Sequence, residues 1–266
     1  VDTQQFEPGY QVMKLLNGRS GLFFQGSQIW ESEKDIRLVD TESDPTEDSQ
    51  NMAAIVANQD KYAVFLNDLR VGNWYDGIVK DGDEVRHSYI DLWNDAPYVV
   101  FRVIKRDGDV ERTFIVWNGR EHGPFEAVIM FEGHIDLWGC VVQRDGKQYM
   151  FVEERLYGEG YDEVDATGIV QDGDDIIYYA KVGGKDHVVR NDKIDSAPHD
   201  FIYFNGSHHG KNVCDVRDGG KARVLLGEEP LTEEFDELET GRFENGELPI
   251  KGVIAGNRVE RTLKLP

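Results

Sequence analysis

Residues 171–190 read QDGDDIIYYAKVGGKDHVVR. An apolar run, Ile176-Ile177-Tyr178-Tyr179, leads into Gly183-Gly184, and a second β-prone run, Lys185-Asp186-His187-Val188-Val189, leads out. Two glycines tolerate the positive φ angles that both central positions of a type I′ hairpin turn demand. The stretch therefore predicts a tight hairpin over Asp175–Arg190, entered through a turn at Asp172-Gly173. Before that turn, the pattern predicts an outer strand beginning at Tyr161 and an inner strand over 166–170.

The arrangement recurs along the whole chain. Turn dipeptides stand at Asn17-Gly18, Gln59-Asp60, Asp107-Gly108, Asp145-Gly146, Gly183-Gly184, Asp218-Gly219 and Gly256-Asn257, with first positions 42, 48, 38, 38, 35 and 38 residues apart. Apolar runs flank them, such as Val99–Ile104 before one turn and Lys147–Val152 after another. These runs are apolar on both faces, as strands are when sheets pack on either side of them. A second landmark keeps the same phase: an aromatic residue or histidine followed by an acid, at Tyr75-Asp76, Phe125-Glu126, Tyr161-Asp162, His199-Asp200 and Phe235-Asp236, with Lys34-Asp35 as a degenerate copy. The acid is expected to cap a local turn and the aromatic to pack between neighbouring units.

A repeat near 40 residues that carries about four strands and no 3.6-residue periodicity is the signature of a β-propeller blade. The fold expected is all-β: a single seven-bladed β-propeller domain over residues 1–266, about 38 residues per blade. In this layout Val1–Phe6 forms an inner strand, Glu7-Pro8-Gly9 a turn, and Arg258–Leu265 the second hairpin strand of blade seven. That last blade lacks its outer strand, so the chain is expected to be monomeric or part of a larger chain.

Gly184–Asn191, and Glu159–Val164 followed by Gln171–Tyr178, resemble the degenerate WD40-like (PD40/TolB-type) repeats of bacterial propellers, in the order aromatic-acid, Asp-Gly, apolar strand, Gly-Gly-Lys, Val-Val. The resemblance covers most of the chain and is best over residues 109–240. It implies a propeller and an extracytoplasmic setting. It implies no single activity, because the group holds interaction modules and enzyme-associated domains alike. No Trp-Asp dipeptide ends a strand here.

Composition narrows the function classes. Among 266 residues, 51 acids against 29 Lys and Arg give a formal charge of −22, which opposes a nucleic-acid groove. A content of 39% apolar residues supports a core, while no run approaches the ~18 apolar residues of a membrane span. Cys140 and Cys214, 74 residues apart, form neither a disulfide framework nor a cysteine zinc site. There is no G-x-S-x-G, P-loop or H-E-x-x-H sequence.

Candidate binding residues gather in the long stretch Lys80–Pro97 of blade three, namely His87, Asp91, Trp93 and Asp95, and at the turns bearing His134, His208 and His209. Histidines could build a metal or catalytic centre at a channel mouth, though adjacent histidines point different ways and exposed turn residues are the plainer reading. Calcium could sit at Asp172–Asp175 or Asp81–Glu84, where ordinary Asp-Gly turns are the plainer reading. Tyr89, Trp93 and Trp138 could form an aromatic glycan or peptide platform, or fill space between blades. No other cofactor is expected. With no assembled catalytic motif, the chain reads as a non-enzymatic module that binds a protein, peptide or glycan on one face. The alternative is a carbohydrate-active hydrolase or lyase using channel-mouth acids and histidines.

Overall fold

The computed structural model describes residues 9–43, 52–78, 89–91, 98–130 and 139–265. Among the described residues there is no helix, and the strands form seven antiparallel sheets in chain order. The first holds β1 (Tyr10–Lys14), β2 (Ser20–Phe24) and β3 (Ser27–Ser32); the second holds β4 (Ile36–Ser43), β5 (Met52–Asn58), β6 (Lys61–Leu66) and β7 (Leu69–Tyr75). The third has five strands, β8 (Gly77–Ile78), β9 (Tyr89–Asp91), β10 (Tyr98–Asp107), β11 (Val110–Trp117) and β12 (Arg120–Phe125). The fourth runs through β13 (Ala127–Met130), β14 (Gly139–Arg144), β15 (Lys147–Val152) and β16 (Arg155–Tyr161). The fifth comprises β17 (Glu163–Asp172), β18 (Asp175–Val182), β19 (Lys185–Arg190) and β20 (Lys193–Ile194). The sixth comprises β21 (Phe201–His208), β22 (Lys211–Asp218), β23 (Lys221–Leu226) and β24 (Glu229–Pro230). The seventh has three strands, β25 (Glu237–Thr240), β26 (Glu247–Ile254) and β27 (Asn257–Lys264).

By internal packing the chain divides into two compact units, Val1–Val128 and Ile129–Pro266. Within each, the core lies in layers between successive sheets. In the first unit, Tyr10, Leu22 and Phe24 meet Ala54, Val56 and Phe65, and on the far side of that second sheet Ile55, Val64 and Tyr75 meet Phe101, Val103 and Val116. In the second unit three such layers follow: Met150 and Tyr161 on Ile176 and Tyr178, then Ile177 and Val188 on Phe204 and Cys214, then Val213 and Val224 on Leu248 and Ile250. A middle strand must therefore bury both faces, and 53–57 of β5 and 212–216 of β22 are buried without a break. Each fully buried aromatic in such a layer contributes about 1.5–3 kcal/mol relative to exposure.

The hairpins lie at the turn dipeptides, with three register corrections of one residue and, in the first, a three-residue loop Leu16-Asn17-Gly18 closed by Leu15 and Arg19 in place of a two-residue turn. Pairing of Asp107 with Val110, Asp218 with Lys221 and Ile254 with Asn257 sets the turns at Gly108-Asp109, Gly219-Gly220 and Ala255-Gly256. Gly108 and Gly219 take the first, positive-φ position of their turns at 63° and 56°, the region glycine enters at least cost, while Ala255 takes it at 49° in the last hairpin.

The strand assignment within a blade is also corrected. Tyr161 ends the fourth strand of one sheet instead of opening the next, and the segment expected to hold separate outer and inner strands is one strand, β17, whose register shifts between Asp165 and Val170. Val164 and Ile169 both enter the same core layer, so the extra residues are absorbed as a bulge. The fourth strands β20 and β24 are two residues long, too short to leave a sequence pattern. Val1–Phe6, Glu7 and Pro8 lie outside the described residues. The segment 257–264 is the third strand of the last sheet, as expected.

The landmark motif joins one sheet to the next. Asp162 accepts Lys147 of its own sheet on Oδ1 at 2.6 Å and the Gly183 N–H of the following hairpin turn on Oδ2 at 2.8 Å, while its own N–H donates to the Lys181 carbonyl at 3.0 Å. Asp76 is held likewise by Lys61 and the Arg106 N–H, and Asp200 by Lys185 and the Gly219 N–H. Asp236 pairs with Lys221. The preceding aromatics Tyr75, Tyr161 and Phe235 lie in the inter-sheet layers, 0–4% exposed.

Candidate functional site

In the second unit the first strand of each sheet alternates between the core and an open face. In β21, Ile202 and Phe204 are buried while Phe201 and Tyr203 remain 42% and 50% exposed. The neighbouring first strands present Ile129, Glu163 and Asp165 outward on one side and Glu237 and Glu239 on the other. Between β13, β17 and β21 lies a cleft of about 590 Å³, lined by Ile129, Glu163, Asp165, Phe201 and Tyr203, with Lys181 and Asp186 at its side. Lys181 is held by Glu163 at 3.1 Å and Asp186 at 3.8 Å. Arg217 lies over the Phe201 ring, 5.4 Å from its centre. The floor is fixed by Tyr179, whose hydroxyl accepts the Phe204 N–H at 2.5 Å and whose burial drives its pKa well above the usual phenol value.

A second cleft of about 880 Å³ opens between sheets six and seven. Its charges are largely matched within the wall: Lys221 pairs with Asp236, and Lys251 with Glu239 at 2.7 Å.

Of the residues singled out in the sequence, His208 and His209 are described. His208 ends β21 and His209, at φ 50°, takes the first turn position. Their rings lie 4.2 Å apart at 58°, and His208 stands edge-on to Phe243 at 6.1 Å, so the turn packs against the connection between β25 and β26. Asp91 lies in β9, with its side chain outside the description. His87, Trp93, Asp95 and His134 lie outside the described residues, as do Trp138 and Asp81–Glu84. Among the described residues no group of three or more His, Cys, Asp or Glu side chains is arranged to hold a metal ion.

The Asp172–Asp175 turn holds an arginine. Arg190 reaches Asp175 at 2.9 Å, Asp172 at 3.4 Å and Asp195 at 3.0 Å, and donates to Asn212 at 2.6 Å. Asn191 adds a bond to Asp175 at 2.6 Å. This network ties sheets five and six together and already satisfies the carboxylates that a calcium ion would need.

His199, a copy of the landmark motif, and Asp215, which no sequence pattern marked, are both buried. His199 is 5% exposed, with Nδ1 2.7 Å from Asp218 and Nε2 shielded from solvent without a partner. It occupies the landmark slot that Tyr75, Tyr161 and Phe235 fill elsewhere, so its ring acts as a packing element, and a shielded Nε2 cannot meet a substrate. Asp215, in the buried middle of β22, accepts Asn205 at 3.0 Å and Thr240 at 3.2 Å; burial raises its pKa and these two bonds partly offset that. A charged residue inside a run such as Val213–Val216 is the signal that could have found it.

No protein-family model matches the chain, and no curated protein matches it. Among solved structures the chain is similar to BBS1N in complex with ARL6DN. In a mercury-soaked crystal the identity is 12% and the TM-score 0.28, over 99% of this chain and 91% of that one. In a lead-soaked crystal the values are 12% and 0.26, over 97% and 89%. At these scores neither fold nor function is inferred from the likeness. No helix among the described residues is long and apolar enough to cross a membrane.

Proposed function

We propose that the seven sheets are the blades of one β-propeller spanning residues 1–266, of the bacterial WD40-like type, and that the protein is a non-enzymatic module binding a protein or peptide partner through its first-strand face. Seven antiparallel sheets in succession, with the core held in layers between them, support the propeller. The observation that carries the binding role is the outward pair Phe201 and Tyr203, half-exposed on one strand beside a cleft. Large apolar groups left on a rigid surface mark interaction sites. The buried His199 and its partner Asp218 line neither cleft.

Two measurements test this reading. A single compact domain of this length has a radius of gyration of about 18 Å in small-angle scattering; a clearly larger value would separate the chain into tethered units. Selection from a random-peptide display library should yield ligands whose affinity falls at least about tenfold in Phe201→Ser/Tyr203→Ser. Ligands that bind the double variant unchanged, or binding confined to oligosaccharides, would overturn the peptide role.

A further inference from the structure

We infer that the segment received by this face is cationic: an extended strand from a protein partner carrying Arg or Lys at alternate positions. The inference rests on the binding role proposed for Phe201 and Tyr203 and adds the chemistry of the ligand.

The charge of the cleft is one-sided. Its lining carries Glu163, Asp165 and Asp186 against Lys181, a formal excess of two negative charges. Lys181 is already engaged by Glu163 and Asp186, so it does not repel an incoming cation freely. The next first strand adds Glu237 beyond the aromatic pair, Glu239 being paired with Lys251, and the whole chain carries −22. Such a field draws basic segments in and turns acidic ones away.

The aromatic pair supplies the short-range part. An aromatic face attracts an ammonium or guanidinium group within about 6 Å. The protein displays this contact itself, since Arg217 covers Phe201. Tyr203, two residues on and half-exposed, presents the equivalent ring on the same side of the strand. Residues i and i+2 of a strand lie about 7 Å apart, the spacing at which an extended ligand repeats its own side chains. A guanidinium over Tyr203 would have Glu163 and Asp165, on the first strand of the neighbouring sheet and in the lining of the same cleft, as counter-charges.

Isothermal titration with three synthetic octapeptides, alternating Leu with Arg, with Gln or with Glu, tests the inference. The Arg peptide should bind at least about tenfold tighter than the Gln peptide. Raising NaCl from about 50 to about 300 mM should narrow that gap. Tyr203→Ser, and separately Glu163→Gln/Asp165→Asn, should each weaken the Arg peptide at least about fivefold, with Asp60→Asn in the other unit leaving it unchanged. Equal binding of all three peptides that is still lost in Tyr203→Ser would overturn the inference and leave the peptide site standing. Arg-peptide binding that survives both variants would be diffuse attraction to an acidic surface, which overturns it too. If none of the three binds, the inference is overturned, and the library selection with Phe201→Ser/Tyr203→Ser decides the binding role separately. Circular dichroism of each variant separates loss of binding from loss of fold.

Discussion

Lys147 Nζ lies 2.6 Å from Asp162 Oδ1, fifteen residues along the chain, and the same fifteen-residue spacing joins Lys61 to Asp76, Lys185 to Asp200 and Lys221 to Asp236. The lysine opens the strand after a hairpin turn, and the aspartate ends up against the turn of the next sheet. Since both partners are largely exposed, the ion pair itself is worth little. The aspartate's bond to the Gly183 N–H carries more, because a turn donor loses its acceptor without it. Asp162→Ala should therefore lower the melting temperature measurably more than Lys147→Ala, and the double variant should match Asp162→Ala. A larger loss from the lysine variant would mean that the ion pair, and not the bond to the turn, holds the two sheets together here.

The same aspartates set the response to acid. Lysine partners and backbone N–H donors hold the Asp76, Asp162 and Asp200 carboxyls below their ordinary value, and Lys221 does so for Asp236. A depressed folded-state pKa gives stability that is complete above the unfolded value and lost as pH falls through the folded one. Denaturant midpoints should thus be flat on the neutral side of the carboxylate range and drop steeply below it. In Asp76→Asn/Asp162→Asn/Asp200→Asn the acid drop should be shallower, which urea titrations across pH 2–6, about the carboxylate range, would read.

Asp215 has the opposite sign. Burial raises its pKa, so its contribution is fully present below the unfolded value and lost as pH rises through the folded one. Asp215→Asn keeps an acceptor for Asn205 and Thr240 and removes the buried charge. At pH 7 it should be at least as stable as the parent, by up to about 1 kcal/mol. That advantage should vanish in acid. Destabilisation at pH 7 would mean that the carboxylate is needed as an anion.

His199 stands where aromatic rings stand in the sister sheets. His199→Phe fills the slot, removes the unpartnered Nε2, and leaves Asp218 partly exposed and bonded to the Asp200 N–H at 3.1 Å. The variant should be neutral to about 1 kcal/mol more stable, as chemical denaturation would show. A clear loss would assign the His199–Asp218 bond a larger structural share than its aromatic counterparts need.

Phe235 and Tyr203 separate packing from surface. Phe235 is fully buried against sheet seven, and Phe235→Ala should cost about 3–5 kcal/mol. Tyr203→Ser, on the open face, should stay within about 0.5 kcal/mol of the parent while losing ligand. Unfolding curves of the two variants side by side would expose any hidden packing role for Tyr203.

Much of the fold was legible because its signals are local. A two-residue turn needs residues that accept positive φ, so Asp145-Gly146 and Gly183-Gly184 mark their hairpins in the sequence. The landmark aromatics announced themselves because the packing slot recurs at each sheet junction. The short strands Lys193–Ile194 and Glu229–Pro230 were not legible, since two residues make no periodicity. The lysine partners were visible only as the first residue of each post-turn run; their constant distance from the landmark acid was the missed signal. The site was less legible than the fold. In Phe201-Ile202-Tyr203-Phe204 every residue is apolar, so parity gives no hint of which two face outward.

The sequence by itself determined seven strand-rich repeats, the turn chemistry that spaces them, and an acidic chain with too few cysteines for disulfide scaffolding. Those properties follow from backbone sterics and composition, which act over a few residues. Only the tertiary structure decided that Asp162 spans two sheets, that Arg190 gathers Asp172 and Asp175, and that Tyr203 faces a cleft with Glu163 and Asp165. These arrangements depend on the register of strands tens of residues apart. One step of register exchanges the buried and exposed faces of a strand, so contacts of that kind are fixed by packing between sheets.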